Sequence, residues 1–599
     1  MKYTNLDFLK FLLQEVHPVE ELFKLERFSH VNWEQVWMMV ESARQMADRD
    51  MAPYLKAMDI APARYDGNGN VVTHPQLKTI IRQAADQGWI NGSASFEHGG
   101  MQLPLMIFNA GHHIFQAANN GSQGYFSLSA GAAALITSFG SEAQIQRFVP
   151  PIFEGKWQGT MALTEPQAGS ALSDITTKAT PLGDGLYQIK GQKIFISGGH
   201  HSACDNFVHL TLAKIDGAPA GTKGISLFII PKLWPEEDGT LRDNDVFCAG
   251  DFQKMGQKGY STTHLVFGDQ NKCVGWLVGE PHQGLGYMFQ MMNEARIGVG
   301  QTAASVAMAA YQAALQYAKE RPQGRLASEK DPLKPPALII NHPDVQRMLL
   351  TQKAIVEGAL SLAMECNRLY DLAHAADGDV KHSSWLLLEM LTPVMKTYAS
   401  EQGSRAAALA IQTFGGYGYT VDFPAEQYYR DLKIMSIYEG TTGIQSLDLL
   451  GRKVWMDKGK GLKILLSEMT SVAGQAYALE PLRNYAKALD KEVERVNTVL
   501  THLGQYARTD IDRMLSDSAI FMEMISYGII GWQWLKQAVI AFGRLQTGDF
   551  SRHSAAFYES QLHTMKFFFR YELPHAEACQ KTLLDPEYLI NPGQSKGLA

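Results

Sequence analysis

Glu439 stands between an apolar run and a group of small residues in SIYEGTTGIQSLDLLGRK, residues 436–453. Thr442 and Gln445 have the T-x-x-Q spacing of a capping box, so a helix is expected to start at Gly443, with Glu439 in the loop before it. Two readings are open there. The carboxylate is either an anion favoured by the helix dipole or a base held at the edge of a pocket. A second stretch, MALTEPQAGS at 161–170, reads as a strand that ends in Thr164-Glu165-Pro166 and turns through Gln-Ala-Gly-Ser. It is either an ordinary strand exit or a set of hydroxyls and N–H groups that cradles a polar ring or a phosphate.

Other candidates carry less. Gly298 to Ala303, GVGQTA, satisfies G-x-G-x-x-A, but a dinucleotide fingerprint needs a strand before it and a helix beginning at it. Here YMFQMMNEARI precedes it with helical periodicity, so the small residues read as a face for close helix packing. His112–His113 and His200–His201 are adjacent pairs without a carboxylate or cysteine pattern, and are expected to be loop or surface residues, not metal ligands. Neither a G-x-S-x-G elbow nor a Walker-type loop occurs, which leaves hydrolase and NTPase chemistry without support. Cys204, Cys248, Cys273, Cys366 and Cys579 are odd in number and scattered; this suits a reducing, cytoplasmic setting and indicates neither a disulfide framework nor a zinc site.

The elements that must position these residues follow from composition and periodicity. The 599 residues are 45% hydrophobic and 19% charged with a net charge of −7, a globular balance without the basic patch of a nucleic-acid binder. The N-terminal MKYTNLDFLKFLLQEV places Phe8, Leu9, Leu12 and Leu13 among charges, the pattern of an amphipathic helix and not of a signal peptide. The apolar stretch at 525–542 carries Gln533, Lys536 and Gln537 and reads as a buried helix, not a transmembrane segment. Residues 1–157 are expected to be an N-terminal helical domain with an extension. Residues 158–281 hold short β-rich runs without intervening helices, which favours a sandwich or barrel. Residues 282–455 return to helical spacing, with Thr392 as an expected N-cap and Pro393 at the first helical position. A further helical domain is expected over 456–599. The fold class is therefore α+β and multidomain: helical, β-barrel or sandwich, helical bundle, then an additional helical domain.

Taken in order, LTEPQAGS, GLYQIKGQKIFIS, GISLFIIPK, KMGQKGYSTTHLVFGD, MMNEARIGVG, QTFGGYGYT and YRDLKIMSIYEGTTGIQ resemble the acyl-CoA dehydrogenase family. The N-terminal extension and extra C-terminal domain resemble that family's long branch. The resemblance implies FAD-dependent α,β-desaturation of an acyl-CoA thioester, with Glu439 as the catalytic base and its backbone N–H on the thioester oxygen. It implies flavin contacts from Met161, Leu163, Thr164 and Ser170, and from Phe195, Ile196 and Ser197. It implies adenine and pyrophosphate contacts from Arg321, Gln323, His342, Gln412, Gly415 and Gly416, and further cofactor contacts from Thr441 and Gly443. Substrate contacts fall on Ser170, Asn293, Arg296 and Gly440.

Arg321 to His342 depart from the family pattern, because RPQGR and a Pro-rich insertion replace its usual R-x-x-F-G. Arg452 lies one residue beyond the position of a family arginine and has no assigned role. The Met-rich YMFQMMN reads either as an acyl channel lining or as core. An electron-transferring flavoprotein is the implied partner and a homodimer the implied assembly, since the extra domain would cover the surface that smaller relatives use to form tetramers. An acyl-CoA oxidase and a flavin-bearing nucleic-acid-binding protein share the scaffold; the mixed charges of 456–599 speak against the second.

Overall fold

The β-rich runs close on themselves. In a computed structural model, which describes residues 2–590 apart from the side chains of 289–292, the chain forms two units, residues 33–295 and residues 2–32 with 296–590.

The first unit holds helices α2 (Trp33–Met46), α3 (Gln76–Asp86), α4 (Leu105–Phe139) and α5 (Glu142–Phe153). Strands β1 (Trp157–Ala162), β2 (Lys178–Gly183), β3 (Leu186–Ser197) and β4 (Asn206–Ile215) follow, then β5 (Ile225–Pro231), β6 (Val246–Asp251), β7 (Thr262–Phe267) and β8 (Val274–Leu277). The sheet runs β6-β7-β3-β8-β5-β4-β1. Strand β2 pairs antiparallel with β3 and parallel with β4, which joins two strands already linked through β8 and β5. That closes a ring of β2, β3, β8, β5 and β4, the barrel form of the expected β domain. Ile189, Ile196, Ala213, Phe228, Ile230 and Leu265 are among the residues of its apolar core.

The histidine pairs are not on the surface. His112 and His113 are 3% and 0% exposed on α4, with the His112 ring against Trp89, Phe108 and Phe126, and His200 and His201 are 7% and 1% exposed after β3. Burial brings His112, His113 and His200 down to about 4 and His201 to about 3, so all four are neutral. Adjacency cannot reveal this, because α4 is covered on nearly every side along its first half. Among the described residues no group of acidic, histidine and cysteine side chains could hold a metal ion.

Helix α6 (Gly284–Glu320) leads into the second unit, which contains α7 (Pro343–Ala375), α8 (Gly378–Phe414), α9 (Ala425–Lys433) and α10 (Thr442–Gly451). Its C-terminal part contains α11 (Met456–Tyr477), α12 (Arg483–Gly504), α13 (Ser518–Thr547), α14 (Ala555–Tyr571) and α15 (His575–Leu583). The GVGQTA residues lie inside α6. A Cβ on Gly300 would stand 2.9 Å from the Met395 carbonyl oxygen and 3.1 Å from Lys396 Cα, so the glycine lets α6 and α8 touch backbone to backbone. Thr392 and Pro393 do not begin a helix. Pro393 lies within α8, and the Thr392 hydroxyl donates to the Leu388 carbonyl at 2.7 Å. Both residues are buried, and packing carries the helix through a local stop signal.

The first helix, α1 (Leu6–Phe11), runs into a wide turn at Leu12–Val16, and both pack in this second unit. Phe8, Leu9, Leu12 and Leu13 are each fully buried. Phe11 meets Phe557 at 5.3 Å between ring centroids, and Glu15 accepts from Arg544 at 2.7 Å and from Tyr558 at 2.9 Å. By packing, the extension and the extra C-terminal domain are one body, although they lie at opposite ends of the sequence. The 525–542 stretch is a buried part of α13, with Trp532 1% and Trp534 0% exposed. Among the described residues no helix is long and apolar enough to cross a membrane.

Candidate active site

Between α9 and α10 the backbone adopts two consecutive left-handed residues, Glu439 at φ 53° and Gly440 at φ 88°. For a residue with a Cβ this conformation costs on the order of 1 kcal/mol, and it persists only where neighbours hold it. Three hydrogen bonds do so. Lys396 Nζ on α8 donates to the Gly440 carbonyl at 2.5 Å, Gln445 Nε2 donates to the Glu439 carbonyl at 3.0 Å, and Thr441 Oγ1 accepts from the Ile444 N–H at 3.3 Å. The helix therefore starts at Thr442 and is capped by Thr441, one residue earlier than the capping-box reading places them. Thr442 turns its hydroxyl to Glu401, and Gln445 reaches back to the Glu439 carbonyl. Gly440 is needed here: a Cβ would sit 2.6 Å from Gln445 Nε2.

The Glu439 carboxyl forms no hydrogen bond or ion pair with the described residues, and water reaches it. Desolvation nevertheless raises its pKa above the usual carboxylate value, while Arg296 and Lys396 pull it back down. Arg296 on α6 is 5% exposed; its Nη1 lies 3.4 Å from Asp448, and its Nε finds no partner among the described residues. Asp448 also accepts from Arg452 at 2.7 Å, so Arg452 pairs on the surface of α10.

In the unit of residues 33–295, the strand exit after β1 is tied down from beneath. Glu165 is 2% exposed and accepts from the N–H and hydroxyl of both Thr176 and Thr177, and from Lys193 Nζ at 2.9 Å. Burial alone would raise its pKa; Lys193 and the threonine donors override that and hold it at about 2. Lys193 also donates to the Leu163 carbonyl at 2.9 Å, and the Ile194 N–H to that of Thr164 at 2.9 Å. Leu163 and Thr164 are thereby fixed beside the end of β3, while Met161 pairs within the sheet with Leu210 of β4. There Phe195, at φ 58°, is 56% exposed and packs at 4.4 Å on Phe252, while Ser197 is half-buried. Ile196 points the other way, into the barrel core, leaving only its backbone for any ligand. Ser170 is exposed in the loop beyond.

A third group lies at the far ends of α6 and α8, in the second unit. Arg321 stands 5.7 Å over the Tyr417 ring. His342 Nε2 lies 2.7 Å from the Gln323 carbonyl, an acceptor, so Nε2 carries the proton. The Pro-rich insertion leaves and returns beside these residues, with Gln323 N–H on the Ala337 carbonyl at 2.8 Å and Ile339 N–H on that of Arg321 at 2.8 Å. Gln412, Gly415 and Gly416 are exposed, and nothing lies within 4 Å of a Cβ placed on either glycine.

Models of protein families match in chain order: acyl-CoA dehydrogenase N-terminal domain over residues 34–156, middle domain over 160–270, C-terminal domain over 282–454, and acetyl-CoA dehydrogenase C-terminal like over 465–588. The chain belongs to the acyl-CoA dehydrogenase family. It is 33% identical over 581 residues to the 3-methylmercaptopropionyl-CoA dehydrogenase of Ruegeria pomeroyi, spanning 96% of this chain and 97% of that protein. It is 34% identical over 582 residues to FadE5 of Mycobacterium tuberculosis, a broad-specificity linear acyl-CoA dehydrogenase, spanning 94% of each. An acyl-CoA dehydrogenase of Bacillus anthracis solved with FAD has the same fold, with a TM-score of 0.74 and 20% identity, covering 94% of this chain and 90% of that one. The family is one of FAD-dependent oxidoreductases, as the resemblance implied.

Within this acyl-CoA dehydrogenase, residues named from sequence fall into local groups: Met161, Leu163, Thr164, Phe195 and Ser197; Arg321, Gln323 and His342; Glu439, Gly440, Thr441 and Arg296. Asn293 lies three residues before Arg296 on α6, and Gly443 is exposed in the first turn of α10. Met288 is buried, while the other methionines of YMFQMMN fall among 289–292 and lie outside the described side chains. Two residues were missed. Lys396 is a lone lysine in an apolar run, and only its burial reveals it. Glu294 is raised to about 7 by burial.

Proposed function

We propose that this acyl-CoA dehydrogenase converts an acyl-CoA thioester to the trans-2-enoyl-CoA, with Glu439 removing the α-proton. The observation that carries this reading is an exposed carboxyl, without a hydrogen-bond or ion-pair partner among the described residues, on a loop held by three hydrogen bonds. A carbon acid is weak, and a base whose pKa is raised toward it accepts its proton with less driving force lost. Bound substrate would displace water from the exposed carboxyl and raise Glu439 further. The Glu439 N–H has no acceptor among the described residues. Together with the first turn of α10 it offers a donor to the thioester oxygen, on which enolate-like charge develops.

The residues fit FAD. Phe195 offers an exposed apolar plane on a rigid strand end, Thr164 and Ser197 polar groups at its edge, and Arg321 with the uncovered backbone of Gly415 and Gly416 a cationic surface for a pyrophosphate. On the resemblance, Gln323, His342, Gln412, Thr441 and Gly443 in the one unit, and Met161, Leu163, Ser170 and the backbone of Ile196 in the other, are further proposed FAD contacts. When bound, FAD supplies the two-electron acceptor for the hydride that leaves the β-carbon. Asn293, Arg296, Ser170 and Gly440 would orient the thioester, Arg296 through its unpartnered Nε.

An electron-transferring flavoprotein is the proposed electron acceptor, and family membership supports it over oxygen. The assembly is proposed as a homodimer because α13 covers the bundle: Trp534 Nε1 donates to the Ala354 carbonyl of α7 at 3.0 Å. A tetramer mass in light scattering would contradict this. Function is tested by anaerobic titration of the purified flavoprotein with acyl-CoA thioesters of graded length, including 3-(methylthio)propanoyl-CoA. Bleaching of the visible flavin band is expected with at least one. Colourless protein that takes up no FAD, or flavin that none of them bleaches, would refute the assignment.

A further inference from the structure

Lys396 is 0% exposed, on the stretch of α8 that Gly300 brings against α6. Its ammonium donates to the Gly440 carbonyl at 2.5 Å and forms no ion pair with the described residues. Burying a charge against a neutral carbonyl is costly, and a glutamine would make that hydrogen bond without the cost. The charge therefore calls for a use beyond tethering the loop. Arg296 from α6 and Lys396 from α8 are the cations that act on Glu439. Glu439 and Glu401 are the anions that act on Lys396, with Arg296 opposing them. Glu401 is already engaged by the Thr442 hydroxyl and by Lys433 at 4.0 Å, which leaves Glu439 as the carboxylate without a contact partner.

The geometry points to Lys396 as a cationic positioning residue for the base: it fixes the left-handed Glu439–Gly440 turn through the Gly440 carbonyl and biases Glu439 toward the ionised, proton-accepting form. This rests on Glu439 being the base. Burial lowers Lys396 itself to about 8, so it stays largely protonated at neutral pH. The sign follows. A neighbouring cation favours the carboxylate, so removing it raises the pKa of Glu439 and moves the acid limb of kcat/KM to higher pH.

The experiment is the pH dependence of kcat/KM for flavin reduction of the holoenzyme by butanoyl-CoA or, if it reacts faster, 3-(methylthio)propanoyl-CoA. Lys396→Gln is expected to move the acid limb upward by about one pH unit, the lower end of the effect of a nearby opposite charge. Lys396→Arg, which keeps the charge, is expected to lower kcat while leaving the limb in place. Gln445→Leu removes the neighbouring tie without changing charge and is expected to slow reduction with the limb unmoved. A wild-type limb in Lys396→Gln, or an equal displacement in Lys396→Arg, overturns the inference. If Lys396→Gln does not retain flavin, Lys396→Met is read in its place: a limb displaced upward by about one unit supports the charge role and an unmoved limb refutes it. If Glu439→Gln is bleached at the wild-type rate, the base assignment itself has failed. If Glu439→Gln is inert and Lys396→Gln titrates like wild type, only the role of Lys396 has failed.

Discussion

Replacing Glu165 by glutamine tests whether the buried clamp under the β1 exit holds the proposed flavin platform. The native carboxylate takes both Thr176 donors, both Thr177 donors and Lys193. An amide presents N–H groups to some of those donors and leaves the Lys193 ammonium, 0% exposed, without a counter-charge. Breaking one side of a buried pair costs about 3–5 kcal/mol. Linkage gives a consistent figure: a carboxyl held at about 2 instead of 4.5 contributes roughly 3 kcal/mol at neutral pH. Because this pKa is depressed, the stabilisation is fully present above 4.5 and is lost as pH falls toward 2. For a unit of this size, about 3 kcal/mol lowers the melting temperature by roughly 6–12 °C. Flavin fluorescence during heating reads it directly, since flavin brightens on release. Glu165→Gln is expected to release flavin several degrees early at pH 7.5, with the gap to wild type holding down to about pH 4.5 and narrowing only below it. An unchanged release temperature at pH 7.5 would refute the clamp.

Two further perturbations have defined outcomes. Gly300→Val places a branched side chain 2.9 Å from the Met395 carbonyl and should cost about 1–3 kcal/mol by overpacking, with slower flavin bleaching as Lys396 is displaced; wild-type melting and bleaching together would contradict the contact. Deleting residues 2–17 removes Phe8, Leu9, Phe11, Leu12 and Leu13, all fully buried, and on the order of 10 kcal/mol of apolar burial. It also strips Glu15 from Arg544 and His17 from Glu365, a 2.7 Å contact. Calorimetry of the truncated protein should show the helical unit melting well below the full chain, and an unshifted transition would refute the shared core.

Much of the barrel is written in local pattern: each strand is an apolar run bounded by turn residues. Its closure is not, because it depends on β2 pairing with two strands whose register is fixed by distant contacts. Amphipathicity at Phe8 to Leu13 announced a helix but could not name its partners near residue 557. The His112–His113 pair and Thr392-Pro393 misled for one reason. Local rules assume an ordinary surface, and α4 and α8 are buried over long stretches where packing overrides them. At the site, the order of motifs led to Glu439, and the glycine after it signalled the turn. The tie from Lys396 was illegible, because nothing local distinguishes a lysine that is buried from one that is solvated.

The central claim, that Glu439 takes the α-proton, is tested most directly by hydrogen exchange at that carbon. The holoenzyme is incubated anaerobically in D2O with a saturated acyl-CoA whose bleaching has been established, and deuterium in the recovered thioester is measured by mass spectrometry. Wild type is expected to place deuterium at the α-carbon. Glu439→Gln, with flavin retained, is expected to slow both exchange and bleaching by roughly 10²–10⁴-fold. Exchange at the wild-type rate in the flavin-loaded Glu439→Gln protein would contradict the assignment.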